Sequence, residues 1–155
     1  MVSSMRTPLL AVDSVILFEN GVVLIKRKNP PFQGSYALPG GFVEIGESTE
    51  VAVIRESWEE TGLQIGLVGL VGVYSDPYRD PRGHVVSVCY FSRGTGQLVS
   101  GSDAKSAEVF PLEDLPRLAF DHHKMIRDAL GLYCSNLNQT LSDKHVNSLS
   151  PKHQT

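Results

Sequence analysis

Apolar residues fall in short runs of β type separated by turn-forming residues, and two stretches carry the longer period of a helix. Leu9 to Phe18 is the first run, interrupted by Asp13 and Ser14, and Val22 to Ile25 is the second. Asn20-Gly21 between them predicts an antiparallel hairpin. After a loop rich in proline, Asn29 to Ser35, a short strand is expected over Tyr36 to Pro39, a turn at Gly40-Gly41 and further strand over Phe42 to Ile45. Ile65 to Tyr74 alternates glycine with apolar residues and reads as a strand whose small residues at 66, 69 and 72 allow close packing over the preceding helix. Val85 to Ser92 is a further strand, Gly94 to Gly101 a turn with a short strand at Gln97 to Val99, and Ala107 to Leu112 the last strand candidate.

The first helix is expected to start from a Ser48 or Thr49 cap, to run to about Thr61 and to stop at Gly62. Val51, Ile54 and Trp58 share one side of it and are expected to pack into the core. Asp121 is a plausible cap for a second helix, with Met125, Ile126, Ala129, Leu130 and Tyr133 as its apolar face and Gly131 near its stop. Strands before and after a central helix, closed by a second helix, predict an α/β layered domain. The opening hairpin excludes a uniformly parallel sheet.

Composition narrows the class. A chain of 155 residues holds one domain with a real core. A formal charge of −3 gives no basic surface for nucleic acid. No apolar run reaches the ~18 residues of a membrane span and the N-terminus lacks the plan of a signal peptide, so the expectation is a cytoplasmic protein with no membrane partner. Cys89 and Cys134 form no CxxC and are expected to be reduced thiols.

The chemistry concentrates in Gly41 to Leu63, GFVEIGESTEVAVIRESWEETGL. On a helix, Glu56, Glu59 and Glu60 stand at i, i+3 and i+4 and project within an arc of roughly 100°. A solvated acidic face is the plain explanation; the functional one is a hard divalent cation such as Mg²⁺, which takes oxygen ligands of this kind. Glu56 and Glu60, one turn apart, suit that role, and like-charge crowding makes Glu59 a candidate proton acceptor.

The stretch resembles the Nudix box: Gly41, five residues, Glu47, seven residues, Arg55-Glu56, two residues, Glu59-Glu60, one residue, Gly62, then an aliphatic, here Leu63. Seven fixed positions match, a coincidence of about one in a hundred million per starting point at ordinary residue frequencies. Ser57 departs, standing where the family usually has an aliphatic residue. The resemblance implies the Nudix fold, a mixed β-sheet sandwiched between α-helices, over residues 7–132; beyond it the polar composition of 133–155 predicts a mobile tail. It implies Mg²⁺ or Mn²⁺ held by Glu56, Glu59, Glu60 and the Gly40 carbonyl, beside Gly41. Arg55 and Glu47 would support the ligands as an ion pair, and Glu108 matches a downstream glutamate that competes with Glu59 for the base role.

SDPYRDPRGHVVSVCY (75–90), with TPLLAVDSVI near the start and LAFDHHKMIRDAL near the end, is similar to the ADP-ribose pyrophosphatase branch and its ADP-ribose-sensing regulators. Arg27, Arg79 and Arg82 are the candidate phosphate or ribose contacts, each alternatively a solvated loop charge. Tyr74, Tyr78, Phe32 and Phe120 are candidates to stack on adenine, or else packing. The resemblance implies hydrolysis of ADP-ribose to AMP and ribose 5-phosphate, a small-molecule substrate and a homodimer. Alternatives are hydrolysis of a nucleoside triphosphate such as 8-oxo-dGTP and non-catalytic ADP-ribose sensing.

Overall fold

The computed structural model describes residues 5–99 and 106–134. In chain order these form β1 (Leu9–Phe18), β2 (Gly21–Lys26), β3 (Tyr36–Ala37), β4 (Gly40–Phe42), α1 (Thr49–Thr61), β5 (Gln64–Tyr74), β6 (Val85–Thr95), β7 (Ala107–Phe110) and α2 (His122–Tyr133). The strands make one sheet in which β3-β2-β1-β6-β5 are successive neighbours, with β4 also on β1 and β7 on β2. β1 is antiparallel to β2 and β4 and parallel to β6, so the sheet is mixed.

Side-chain alternation on the two central strands shows how the helices cover it. Val12 of β1 and Tyr90 of β6 pack with Ala52 and Val53 of α1. Val15 of β1 with Cys89 and Phe91 of β6 packs with Met125, Ile126 and Ala129 of α2. The helices therefore lie on opposite faces, and the sandwich expected from the sequence is present. Burial on both faces explains why β1 reads as one apolar run. Ser14 on that run meets Ser92, their hydroxyls 2.7 Å apart and buried.

The α1 boundaries are as expected: the Ser48 hydroxyl accepts the Val51 N–H, and Gly62 closes the helix at φ +71°, a conformation that favours glycine. Its orientation is not. Val51, Ile54 and Trp58 are 54%, 43% and 56% exposed, whereas Ala52, Val53, Ser57, Glu60 and Thr61 are buried. The apolar trio does lie opposite Glu56 and Glu60, but the carboxylate side faces the sheet, because small residues at 52, 53 and 57 let the helix lie close there.

Other differences are local. The hairpin turn is Glu19-Asn20, and Gly21 opens β2. Gly40 and Gly41 lie within β4, paired with Asp13 and Val12, instead of turning between two strands. Gly69 is covered by Tyr133 of α2, not by α1, and the Tyr133 hydroxyl donates to the Leu70 carbonyl at 2.6 Å. Gln97 to Val99 forms no strand, although the Val99 N–H reaches the Thr61 carbonyl at 2.8 Å. Gly131 is inside α2. Of the tail expected over 133–155, Tyr133 belongs to α2 and Cys134 closes it; the remainder, from 135 onward, and the end of the turn at 100–101 lie outside the described residues.

Candidate active site

Where β4 passes under the side of α1, a cleft of about 340 Å³ opens between β1, the end of β2, the 75–84 loop and the start of α2. Glu56 and Glu60 reach it from α1, Gly40 and Gly41 from β4, and Arg27, Arg79 and Arg82 from the surrounding loops. Seven residues separated along the chain, all expected from the sequence, are thus brought to one place.

Its acidic wall is fixed by backbone approach and by one arginine. A Cβ added at Gly41 would sit 2.5 Å from the Glu56 carboxylate carbon, so only glycine leaves room for that carboxylate against β4. Arg55 then binds the wall together. Its Nη2 and Nε donate to the two oxygens of Glu47 at 2.6 and 3.1 Å, and its Nη1 to Glu56 at 2.9 Å and Glu59 at 3.4 Å. Nη2 also reaches the Phe42 carbonyl at 3.2 Å. The hydrogen bonds to Glu47 are the main reason the guanidinium is held above its ordinary pKa, against the cost of partial burial. Arg55 and Glu47 thus form an ion pair, and Glu47 is correspondingly pushed below the usual carboxylate range, chiefly by Arg55.

The basic wall divides its labour. Burial, then the nearby Arg82, lowers the Arg27 pKa, while Asp80, Glu60 and Asp13 oppose the shift. Its Nε donates to the Pro31 carbonyl at 2.7 Å, and its guanidinium lies 5.0 Å from the Phe120 ring centre. Arg82 is held by Asp80 at 2.7 Å and lies 5.5 and 5.7 Å from the Phe42 and Phe120 rings. Arg79 is deeply buried and grips both oxygens of Asp121, at 2.9 and 2.7 Å. Burial works against that charge, but the ion pair outweighs it and the pKa rises. Arg79 thus fastens the loop to the start of α2, and Asp121, expected as a helix cap, makes no side-chain capping bond.

The floor of the cleft is built from residues that spacing did not single out, Asp13 and His122. Asp13, buried, accepts from the Ser87 hydroxyl at 2.5 Å, and its other oxygen is 3.5 Å from His122 Nε2. The Leu38 N–H donates to His122 Nδ1 at 2.9 Å. That bond makes Nδ1 the acceptor, so the neutral ring carries its proton on Nε2, toward Asp13. Burial lowers the His122 pKa against the pull of Asp13 and Asp121. A lone aspartate inside the Leu9 to Phe18 run was the available signal.

Glu59 and Glu108 are outside the cleft lining. Glu59 is largely solvent-exposed beside Arg55. Glu108 is exposed on β7, where it accepts the Tyr36 hydroxyl at 3.0 Å. Of the aromatic candidates, Phe120 lines the cleft, Phe32 packs edge-on against it at 4.9 Å, Tyr78 is exposed, and Tyr74 points to Asp128 at 2.7 Å.

Among the described residues no three His, Cys, Asp or Glu side chains converge as an all-protein metal cage. Two carboxylates, Glu56 and Glu60, beside the backbone of Gly40 and Gly41 fit a different kind of site. A small hard cation keeps several waters and shares its remaining positions with one or two carboxylates and substrate phosphates.

The NUDIX domain pattern matches residues 7–129. Over 122 residues the chain is 57% identical to an ADP-ribose pyrophosphatase of Methanocaldococcus jannaschii, covering 78% of this chain and 72% of that one. Among solved structures it is similar to a MutT/nudix family protein from Enterococcus faecalis, with TM-score 0.76, 37% identity and coverage of 84% of this chain and 64% of that one. It is also similar to the NUDIX domain of Shewanella oneidensis NrtR complexed with ADP ribose, with TM-score 0.74, 32% identity and coverage of 81% and 88%. With the glutamate-bearing helix, the glycine pair under it and this match over most of its length, the chain belongs to the Nudix family.

Proposed function

We propose that this protein is a cytoplasmic ADP-ribose diphosphatase that uses Mg²⁺ or Mn²⁺ and releases AMP and ribose 5-phosphate. One observation carries the reading: Glu56 and Glu60 face Arg27 and Arg82 across one cleft in a chain 57% identical to the M. jannaschii ADP-ribose pyrophosphatase. Nudix hydrolases use divalent cations; in this reading Glu56, Glu60 and the Gly40 carbonyl hold them, with Glu59 beside them. Such a cation neutralises diphosphate oxygens and makes water a usable nucleophile near neutral pH.

The chain's own residues do the rest. Arg27 and Arg82 bind the non-reacting phosphate oxygens and fix the diphosphate in line for attack. Arg55 keeps Glu56 in place through Glu47 and the Phe42 carbonyl. Glu59 accepts the proton as water adds to one phosphorus and the anhydride bond breaks, the second phosphate leaving with its bridging oxygen. Glu108 is the alternative for that role: both carboxylates lie outside the cleft lining, but Glu59 shares α1 with Glu56 and Glu60, whereas Glu108 is on β7 and accepts the Tyr36 hydroxyl.

No helix among the described residues is long and apolar enough to cross a membrane, and Cys89 and Cys134 are free thiols, which supports a reducing compartment. A second copy of the chain is the partner in this reading, and the outward Val51, Ile54 and Trp58 offer apolar surface for it; light scattering measures the mass. The similarity to the ADP-ribose-bound NrtR domain supports the ligand, and the intact glutamates support turnover over sensing. Purified protein with Mg²⁺ should turn over ADP-ribose with kcat/KM at least about a hundredfold above that for ATP or 8-oxo-dGTP, with AMP as product. A preference for triphosphates, with pyrophosphate released, would remove the substrate assignment.

A further inference from the structure

Guanidinium groups and aromatic rings alternate along the basic wall of the cleft. The Arg82 Cζ lies 5.5 Å from the centre of the Phe42 ring and 5.7 Å from that of Phe120, and the Arg27 Cζ lies 5.0 Å from the same Phe120 ring. Phe32 then packs edge-on against Phe120, their ring centres 4.9 Å apart. Phe120 is thus the ring that the two arginines share. Two like charges this close repel, and Arg82 is among the causes that lower the Arg27 pKa. The electron-rich face of a ring attracts a guanidinium within about 6 Å, which opposes that repulsion.

The shared ring is held in an uncommon way. Phe120 has φ +53°, in the left-handed region that residues other than glycine rarely adopt. Such a conformation persists only where the surroundings over-determine it, and here every neighbour in the chain is tied down. The Ala119 N–H donates to the Tyr36 carbonyl at 2.8 Å, Asp121 pairs with Arg79 at 2.7 Å, and His122 accepts the Leu38 N–H at 2.9 Å. Ala119 is fully buried while the ring next to it lines the cleft. The arginines have less support: Arg82 has Asp80 at 2.7 Å, and Arg27 donates through Nε to the Pro31 carbonyl at 2.7 Å.

We propose that Phe120 is a positioning residue for the reaction: its ring holds the Arg27 and Arg82 guanidiniums in their phosphate-binding places before substrate arrives. The inference rests on the reading of these arginines as phosphate contacts and deepens it. An arginine that grips a phosphate loses rotamer freedom, and two that converge on one diphosphate also repel each other. A rigid ring between them offsets both costs in the unliganded protein, so the diphosphate meets donors already in place. The effect falls on the diphosphate itself. It needs neither a base nor a sugar on the ligand, which separates it from stacking of Phe120 on adenine.

The test is calorimetric titration of the full-length protein, with Mg²⁺ present, by methylenediphosphonate, a non-cleavable diphosphate that carries no base and no sugar. Arg27→Met should weaken its binding, and Phe120→Leu should raise its Kd by about tenfold. Phe120→Tyr, which keeps the ring, should restore the Kd to within about threefold of wild type. Phenylalanines bearing one, two and three ring fluorines, placed at position 120, keep the shape and weaken the charge of the ring face in steps. They should raise the Kd stepwise toward the Phe120→Leu value with Tm unmoved, a gradation that a packing role would not produce. A flat fluorine series beside a weakened Arg27→Met overturns the assignment of Phe120 alone. A raised KM for ADP-ribose with an unmoved methylenediphosphonate Kd also overturns it, in favour of base stacking. If the wild type does not bind the probe, or Arg27→Met binds it as well as wild type, the phosphate reading and the proposal fall together. A protein inactive on ADP-ribose would sink the substrate reading instead, and the titration would still decide the role of Phe120.

Discussion

Arg55 ties three parts of the site with one guanidinium: Glu47 before the helix, Phe42 on β4, and Glu56 and Glu59 on α1. Replacing it by lysine keeps the charge but leaves a single nitrogen that cannot span these partners; alanine removes both. An exposed ion pair contributes under about 1 kcal/mol, and removing one partner of a buried pair costs roughly 3–5 kcal/mol. The Arg55 side chain is 24% exposed, and Glu47 and Glu56 are 12% and 14%. R55A should therefore cost roughly 2 kcal/mol, between those limits, and R55K about half as much. For a domain of this size R55A should lower Tm by about 6 °C. The catalytic consequence is separable, because a loosened Glu56 weakens cation binding by about ten- to a hundredfold. The assay is the Mg²⁺ concentration for half-maximal ADP-ribose turnover, measured well below either Tm. R55K and R55A should both need at least about ten times more Mg²⁺. A lowered Tm with an unchanged Mg²⁺ requirement would make Arg55 a stability residue only, and R55K equal to wild type in both would refute the reasoning.

The proton acceptor is decided by E59Q and E108Q: E59Q should lower kcat by about 10²-fold or more with KM little changed, and E108Q should stay within a few fold, the opposite ranking moving the role to Glu108. His122 makes stability depend on pH. Burial holds its pKa below the ordinary value, so below about pH 6.5 the unfolded chain binds a proton that the native state refuses. Stability should then fall with pH by up to about 1.4 kcal/mol per unit until the folded-state pKa is reached. Urea midpoints of H122Q should be flatter than wild type between pH 6.5 and 5, and parallel curves would contradict the assignment. At Ser57 the hydroxyl is buried with no hydrogen-bond partner among the described residues; Ser57→Ala removes that desolvation cost and should raise stability by about 1 kcal/mol, seen as a higher Tm, whereas a lower Tm would mean the hydroxyl is satisfied.

Spacing was legible where a local rule dictates geometry. The Ser48 cap, the left-handed Gly62 and the offsets of Glu56 and Glu60 follow from helix geometry alone, and the structure has each where the spacing put it. What spacing does not carry is which side of an amphipathic helix meets the sheet. Apolar content pointed to Val51, Ile54 and Trp58; the buried side is instead built from small residues plus Glu60. A site that needs carboxylates against a backbone must turn its acidic face inward, and the hydrophobic side then becomes surface. The same limit applies to Arg79. Its sequence neighbours made it a candidate ligand contact and it does line the cleft, but its partner Asp121 is 42 residues away and only the fold brings the two together.

The missed residues share a physical signature. Asp13 and His122 are polar groups in apolar surroundings, and each is tolerated because the fold supplies partners distant in sequence: Ser87 for Asp13, Leu38 for His122. A buried carboxylate without such partners costs several kcal/mol, so an aspartate interrupting an apolar strand is itself a sign that a polar network lies beneath it. Here that network joins β1, β6 and α2 under Gly40, where an added Cβ would fall 2.5 Å from the Asp13 carboxylate. The glycine pair is thus held from both sides, by Glu56 above and Asp13 below, and the cleft takes its shape from two carboxylates that can approach β4 only because no side chain stands there.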